Sequence, residues 1–92
     1  MNTILISYDL WGPENSASYK ALIDRIELFP DWCKPLESFW LVKTSLSHES
    51  VKDALKPLLD KNDKLVTINI TGDATACSGL GEKVSKRIID NI

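Results

Sequence analysis

Residues 64–71, Lys-Leu-Val-Thr-Ile-Asn-Ile-Thr, alternate aliphatic and polar side chains almost without a break. Successive side chains of a strand point to opposite sides. The stretch therefore predicts a strand with Val66, Ile68 and Ile70 turned inward and Leu65, Thr67, Asn69 and Thr71 turned outward. Such a strand belongs to an antiparallel sheet with one side covered and the other exposed or facing a partner. The rest of the chain has to be arranged around that sheet.

Residues 3–9 predict a second strand, with Ile4, Ile6 and Tyr8 on one side and Leu5, Ser7 and Asp9 on the other. The strand stops at Tyr8-Asp9, and Gly12-Pro13 punctuates a turn after which Asn15 or Ser16 can cap a helix. Tyr19, Leu22, Ile23 and Ile26 then recur at helical spacing, which predicts a helix over 16–28 closed by Phe29 and Pro30. Residues 32–46 have high strand propensity around Phe39, Trp40, Leu41 and Val42. Pro35 cannot donate to a ladder, so the first part of this stretch belongs at a sheet edge. Two strands with a bend near Glu37-Ser38 fit, and so does one long bent strand, because no Gly or Asn marks the turn.

Ser47 is placed to cap a second helix, with Leu46 and Val51 as a hydrophobic staple. Its apolar stripe is Val51, Ala54, Leu55, Leu58 and Leu59, and Pro57 reduces its end to a kink or a loose last turn. Residues 60–63 read as a polar turn and 72–79 as a loop. A third helix over about 79–91, with Ser78 at its start, would turn Leu80, Val84, Ile88 and Ile89 inward and Lys83, Lys86 and Arg87 outward. The order β-α-β-β-α-β-α predicts an α+β fold of the ferredoxin-like type: an antiparallel sheet, two helices on one face, and an extra C-terminal helix. We expect one domain over residues 1–92, with its core at about 3–71.

A chain of 92 residues buries only about 60% of its unfolded surface, so pairing with a second copy would add useful stability. The net charge of −2, from 11 basic and 13 acidic residues, is unlike the basic face of a dedicated nucleic-acid binder. No apolar run approaches the ~18 residues of a membrane span, and Met1-Asn2-Thr3 does not read as a signal peptide. The expectation is a cytoplasmic protein without membrane contact. Cys33 and Cys77 lie far apart in sequence, and with one histidine they cannot supply the about four ligands of a zinc site. They are expected as free thiols.

Chemistry, if present, belongs on the second sheet face, where Ser7 and Asp9 would meet Thr67, Asn69 and Thr71 if the first and last strands are neighbours. One carboxylate cannot hold Mg2+ firmly. Two, related by a two-fold axis, can do so with water and phosphate oxygens completing the shell, and the metal can then activate water against a phosphodiester. The competing reading makes Asp9 a strand terminator bonded to nearby loop amides. His48 falls in the first turn of the second helix and reads as a surface residue. Ser78-Gly79-Leu80-Gly81-Glu82-Lys83 lacks the spacing of a phosphate loop, and Ser16, Ser38 and Ser45 show no nucleophile motif. Trp11, Trp32 and Trp40 have the rings to stack on bases, but Trp40 reads as core, while Trp11 and Trp32 can line a groove or a dimer contact. Asp60, Asp63 and Asp73 read as turn residues, of which Asp63 or Asp73 can join Asp9 in space.

The first strand ending in Tyr8-Asp9, the Ser38-Phe39-Trp40 strand and the D-x-L-x-x-I-x-I pattern of residues 63–70 resemble the CRISPR-associated protein 2 family. They also resemble its relatives, the SinR-like proteins and the virulence-associated protein D group. The resemblance spans residues 3–71 and rests on the order and spacing of short motifs. It implies a ferredoxin-like homodimer with facing sheets. In some members this is a metal-dependent endonuclease acting on RNA or DNA, and in others a non-catalytic scaffold holding DNA. Asp9 matches the family aspartate at the end of the first strand, which implies a catalytic, magnesium-binding role. A Gly-rich loop and helix after the last strand, only two arginines, Arg25 and Arg87, and the bulky segment at 10–16 depart from the family pattern and point to the SinR-like branch. There a scaffold or protein-interaction role is the alternative to catalysis.

Overall fold

The computed structural model describes residues 1–12 and 16–91, the side chain of Asn91 excepted. It is an α+β arrangement in the order β1 (Asn2–Asp9), α1 (Ala17–Ile26), β2 (Asp31–Leu36), β3 (Phe39–Thr44), α2 (His48–Leu55), β4 (Lys64–Asn69) and α3 (Glu82–Asn91). The four strands form one sheet in the order β2-β3-β1-β4, and each neighbouring pair is antiparallel. The first and last strands are therefore adjacent, as the sequence required for a shared surface.

The helices start where hydroxyl side chains can satisfy open amides. Ser16 accepts from the Tyr19 amide and Ser47 from the Ser50 amide, replacing bonds that the first helical turn lacks. Asn15, the other candidate cap, lies outside the described residues. The loose turn expected at Pro57 is a 3-10 turn, Lys56–Leu58, appended to α2. That geometry accommodates a proline, which has no amide hydrogen to donate.

Between β2 and β3 the chain turns at Glu37-Ser38, so two strands are present. Ser38 has φ 54, a left-handed conformation unusual for a residue with a Cβ. Its carbonyl accepts the Tyr8 amide at 3.2 Å, which ties the turn to the neighbouring strand.

One sheet face carries Ile4, Ile6, Tyr8, Trp40 and Val42, packed with Leu22 and Ile26 of α1 and Val51 and Leu55 of α2 in a single buried cluster. Trp40 sits at its centre. Its indole N–H donates to the Tyr8 hydroxyl at 3.0 Å, so the most polar atom of the side chain is satisfied inside the core. Tyr19 meets Tyr8 edge-on at 5.9 Å, and Trp32 lies 5.3 Å from Trp40.

The register of β4 overturns the facing expected from its sequence. Tyr8 lies opposite Leu65, Ile6 opposite Thr67, and Ile4 opposite Asn69. Directly opposed residues share a face, so Leu65, Thr67 and Asn69 lie on the side of the buried cluster. Leu65 packs against that cluster, and the Thr67 hydroxyl donates to the His48 carbonyl at the start of α2, at 2.9 Å. Val66 and Ile68, expected inside, are instead 53% and 47% exposed on the opposite face. At this strand the helical side is satisfied partly by hydrogen bonding, which releases the aliphatic residues to the other side.

The C-terminal helix also differs from its expectation. It starts at Glu82; of the four residues expected inward only Ile88 is buried, Val84 and Ile89 being exposed and Leu80 half-buried. The segment before it, after β4, carries Gly72, Gly79 and Gly81, all with positive φ. Among the described residues no helix is long and apolar enough to cross a membrane.

Candidate functional site

The second sheet face can be laid out from the registers. One row runs Cys33, Leu41, Leu5, Ile68 across β2, β3, β1 and β4; the next runs Leu36, Phe39, Ser7, Val66; the third, at the end of β1, pairs Asp9 with Lys64. The expected polar patch of Ser7, Asp9, Thr67, Asn69 and Thr71 is thus not assembled. Ser7 and Asp9 are on this face, but Thr67 and Asn69 are on the other. The Thr71 hydroxyl is engaged at the strand end, accepting from the Thr3 amide at 2.9 Å and donating to Asn69 Oδ1 at 2.6 Å.

The two halves of this face differ. Over β2 and β3, Ile88 of α3 closes a small cavity with Thr3, Cys33, Leu41 and Lys43. Arg87 clamps the helix there, donating to Asp31 Oδ1 at 2.6 Å and to the Trp32 carbonyl at 2.7 Å. Burial pushes the Cys33 thiol pKa up, partly opposed by the nearby Arg87 charge. Cys33 and Cys77 are both free thiols, as expected. Over β1 and β4, by contrast, Leu5 and Ser7 are only half-buried and Val66 and Ile68 are exposed. The tail helix covers one half of the face and leaves the other open.

Asp9 lies at the end of that open half. It is exposed, and its carboxylate makes no hydrogen bond or ion pair among the described residues. Its neighbour across the ladder, Lys64, is exposed too. Nothing in the sequence marks Lys64, because only the strand register brings it beside Asp9. The loop-fixing role considered for Asp9 belongs instead to Asp63. The Asp63 carboxylate accepts the Trp11 amide at 2.9 Å and the Asp60 amide at 3.0 Å, which joins the end of β1 to the turn before β4. Trp11 itself is 79% exposed. His48 is exposed, Trp40 is core, and Asp60 caps its own turn by accepting the Asn62 amide. Asp73 lines the groove beneath residues 73–80, together with Phe39, Leu41 and Ile88.

Among the described residues no cluster of three or more His, Cys, Asp or Glu side chains is placed to hold a metal ion. The donors near Asp9 are one carboxylate and the Ser7 hydroxyl, with the Lys64 ammonium beside them. Within one protomer that set does not fit Mg2+, which prefers carboxylate oxygens and is repelled by a neighbouring cation. Compared with protein-family models, curated proteins and solved structures, the chain matches none.

Proposed function

We propose that the protein acts as a homodimer associated with nucleic acid, built by facing two open β1–β4 halves, in a ferredoxin-like fold of the kind found in the CRISPR-associated protein 2 family. The element order and strand order support that fold assignment. The observation that carries the dimer is the apolar strip of Leu5, Val66 and Ile68, left bare beside a helix that covers the rest of the same face. Burying aliphatic surface stabilises by about 25 cal/mol per Å2, and for a small domain the gain from a twin is proportionally large.

Two roles remain within such a dimer. As a metal-dependent endonuclease, it would hold Mg2+ between Asp9 of each protomer, and the ion would supply an activated water for cleavage of RNA or DNA. As a scaffold, it would bind without chemistry. The single carboxylate per protomer, with Lys64 beside it, favours the scaffold. Sedimentation of the wild type and of Ile68→Asp tests the dimer: the wild type should sediment as a dimer and the variant as a folded monomer. Incubating labelled RNA and DNA with Mg2+ and either wild type or Asp9→Asn tests the chemistry. Cleavage by the wild type that disappears in the variant would establish the endonuclease. Binding with equal, negligible cleavage by both would establish the scaffold.

A further inference from the structure

We infer that in this dimer Asp9 of each protomer is paired with Lys64 of the other, so that two reciprocal ion pairs, and no metal, lock the register of the interface. The inference rests on the dimer reading above and specifies its contacts.

The two-fold axes open to the molecule decide what each carboxylate meets. An axis running across the strands, through the row of Leu5 and Ile68, would carry the two copies of Asp9 to opposite ends of the interface. An axis along the strands keeps both at one end, and its lateral position then decides what each carboxylate meets. Placed over β1, it would set Asp9 against Asp9. It would also drive each α3, which lies over β2 and β3, into the β4 strand of the partner. Placed midway between β1 and β4, it leaves α3 outside the contact, flanking the edge of the partner's β4 strand.

With the midway axis, each open-face residue of β1 faces its own cross-strand neighbour on the other protomer. Leu5 meets Ile68, Ser7 meets Val66, and Asp9 meets Lys64, because these are the intrachain pairs of the register. Every contact then occurs twice, as an isologous interface demands. Two packed sheets lie ~10 Å apart, a gap that a lysine reaching towards an aspartate can bridge, whereas two aspartates need a cation between them. Within a protomer Asp9 and Lys64 are side by side without forming a salt bridge, so both charges are available to a partner. Apolar rows with a complementary charged couple at one end make this half-face complementary to itself.

Charge exchange at the two positions tests the register. Asp9→Lys and Lys64→Asp each place two like-charge contacts in a homodimer, and each should weaken dimerisation on the order of a hundredfold. Both positions are exposed, and circular dichroism melts should show each variant folded. Mixing the two single variants in equal amounts restores opposite charges at both contacts, so mixed dimers should form with about wild-type affinity. A dimeric wild type whose affinity changes in neither variant overturns the ion-pair register while leaving the dimer intact. A wild type that dimerises only with Mg2+ and dissociates on chelation replaces it with a metal-bridged Asp9 pair. A monomeric wild type at working concentration overturns the dimer and this register together.

Discussion

The two faces of the sheet are built from the same strands and almost the same proportion of aliphatic residues, yet they are finished differently. On one face Ile4, Ile6, Tyr8, Trp40 and Val42 are sealed under two helices. On the other, Leu41 and Cys33 lie beneath a helix in which Ile88 is the one buried side chain among the described residues and Arg87 bonds to β2, while Val66 and Ile68 are exposed. Packing is thus concentrated on the first face, and part of the second is left uncovered. Apolar side chains on an uncovered strand face indicate a partner more strongly than a polar patch would, because polar groups are already satisfied by water.

The largest effect should come from removing packing on the sealed side. Trp40→Ala is expected to cost about 3–5 kcal/mol, a large share of the total stability of about 5–15 kcal/mol typical of a domain. Ile68→Ala, on the open side, should cost about 1 kcal/mol or less in the monomer. Urea denaturation at low protein concentration measures both, and near-equal losses would break the contrast between the faces.

A smaller and pH-dependent effect should come from the hydroxyl at the centre of the sealed side. Tyr8→Phe leaves the Trp40 indole N–H without its acceptor, at a cost of about 1–3 kcal/mol. Burial raises the Tyr8 pKa above its ordinary 10.0, with the Trp40 bond opposing the shift. The unfolded chain therefore loses that proton first. The stability contributed by neutral Tyr8 is complete below pH 10 and falls as pH rises from there through the folded-state value. Thermal melts between neutral pH and the alkaline range should show this decline in the wild type and less of it in the variant.

The smallest effect should come from the clamp on α3. The Arg87–Asp31 pair is exposed, so Arg87→Ala should cost less than about 1 kcal/mol globally. Its signature should be local: faster hydrogen exchange in α3, and faster alkylation of Cys33 as the cover loosens. Unchanged exchange in α3 would mean that the Arg87 clamp does not hold the helix.

Much of this layout is legible in the residues. Helical stripes and hydroxyl caps located α1 and α2, and Pro57 announced the irregular end of α2. The β2–β3 turn was harder to read because Ser38 takes the left-handed conformation that Gly or Asn usually occupies. The phase of β4 is not legible, because alternation gives the period of a strand but not which phase faces the helices. The usual tie-breaker, that aliphatic residues go inside, fails when the other face is apolar as well. Asp9 could be singled out as a carboxylate ending a strand. Lys64 could not, since its place beside Asp9 exists only across a ladder, and the clamping role of Asp63 exists only where two loops are brought together.

The crossing from β4 to α3 passes through three glycines in left-handed conformations, each with open space where a side chain would begin. Replacing any one with another residue would strain the local backbone without disturbing a neighbour. Length can therefore change in this stretch more freely than identity at those three positions. It is where an insertion, a tag or a protease cut should be tolerated with the sheet intact. Evolution could likewise exchange the whole C-terminal cover for another, resizing the exposed half-face without altering a strand.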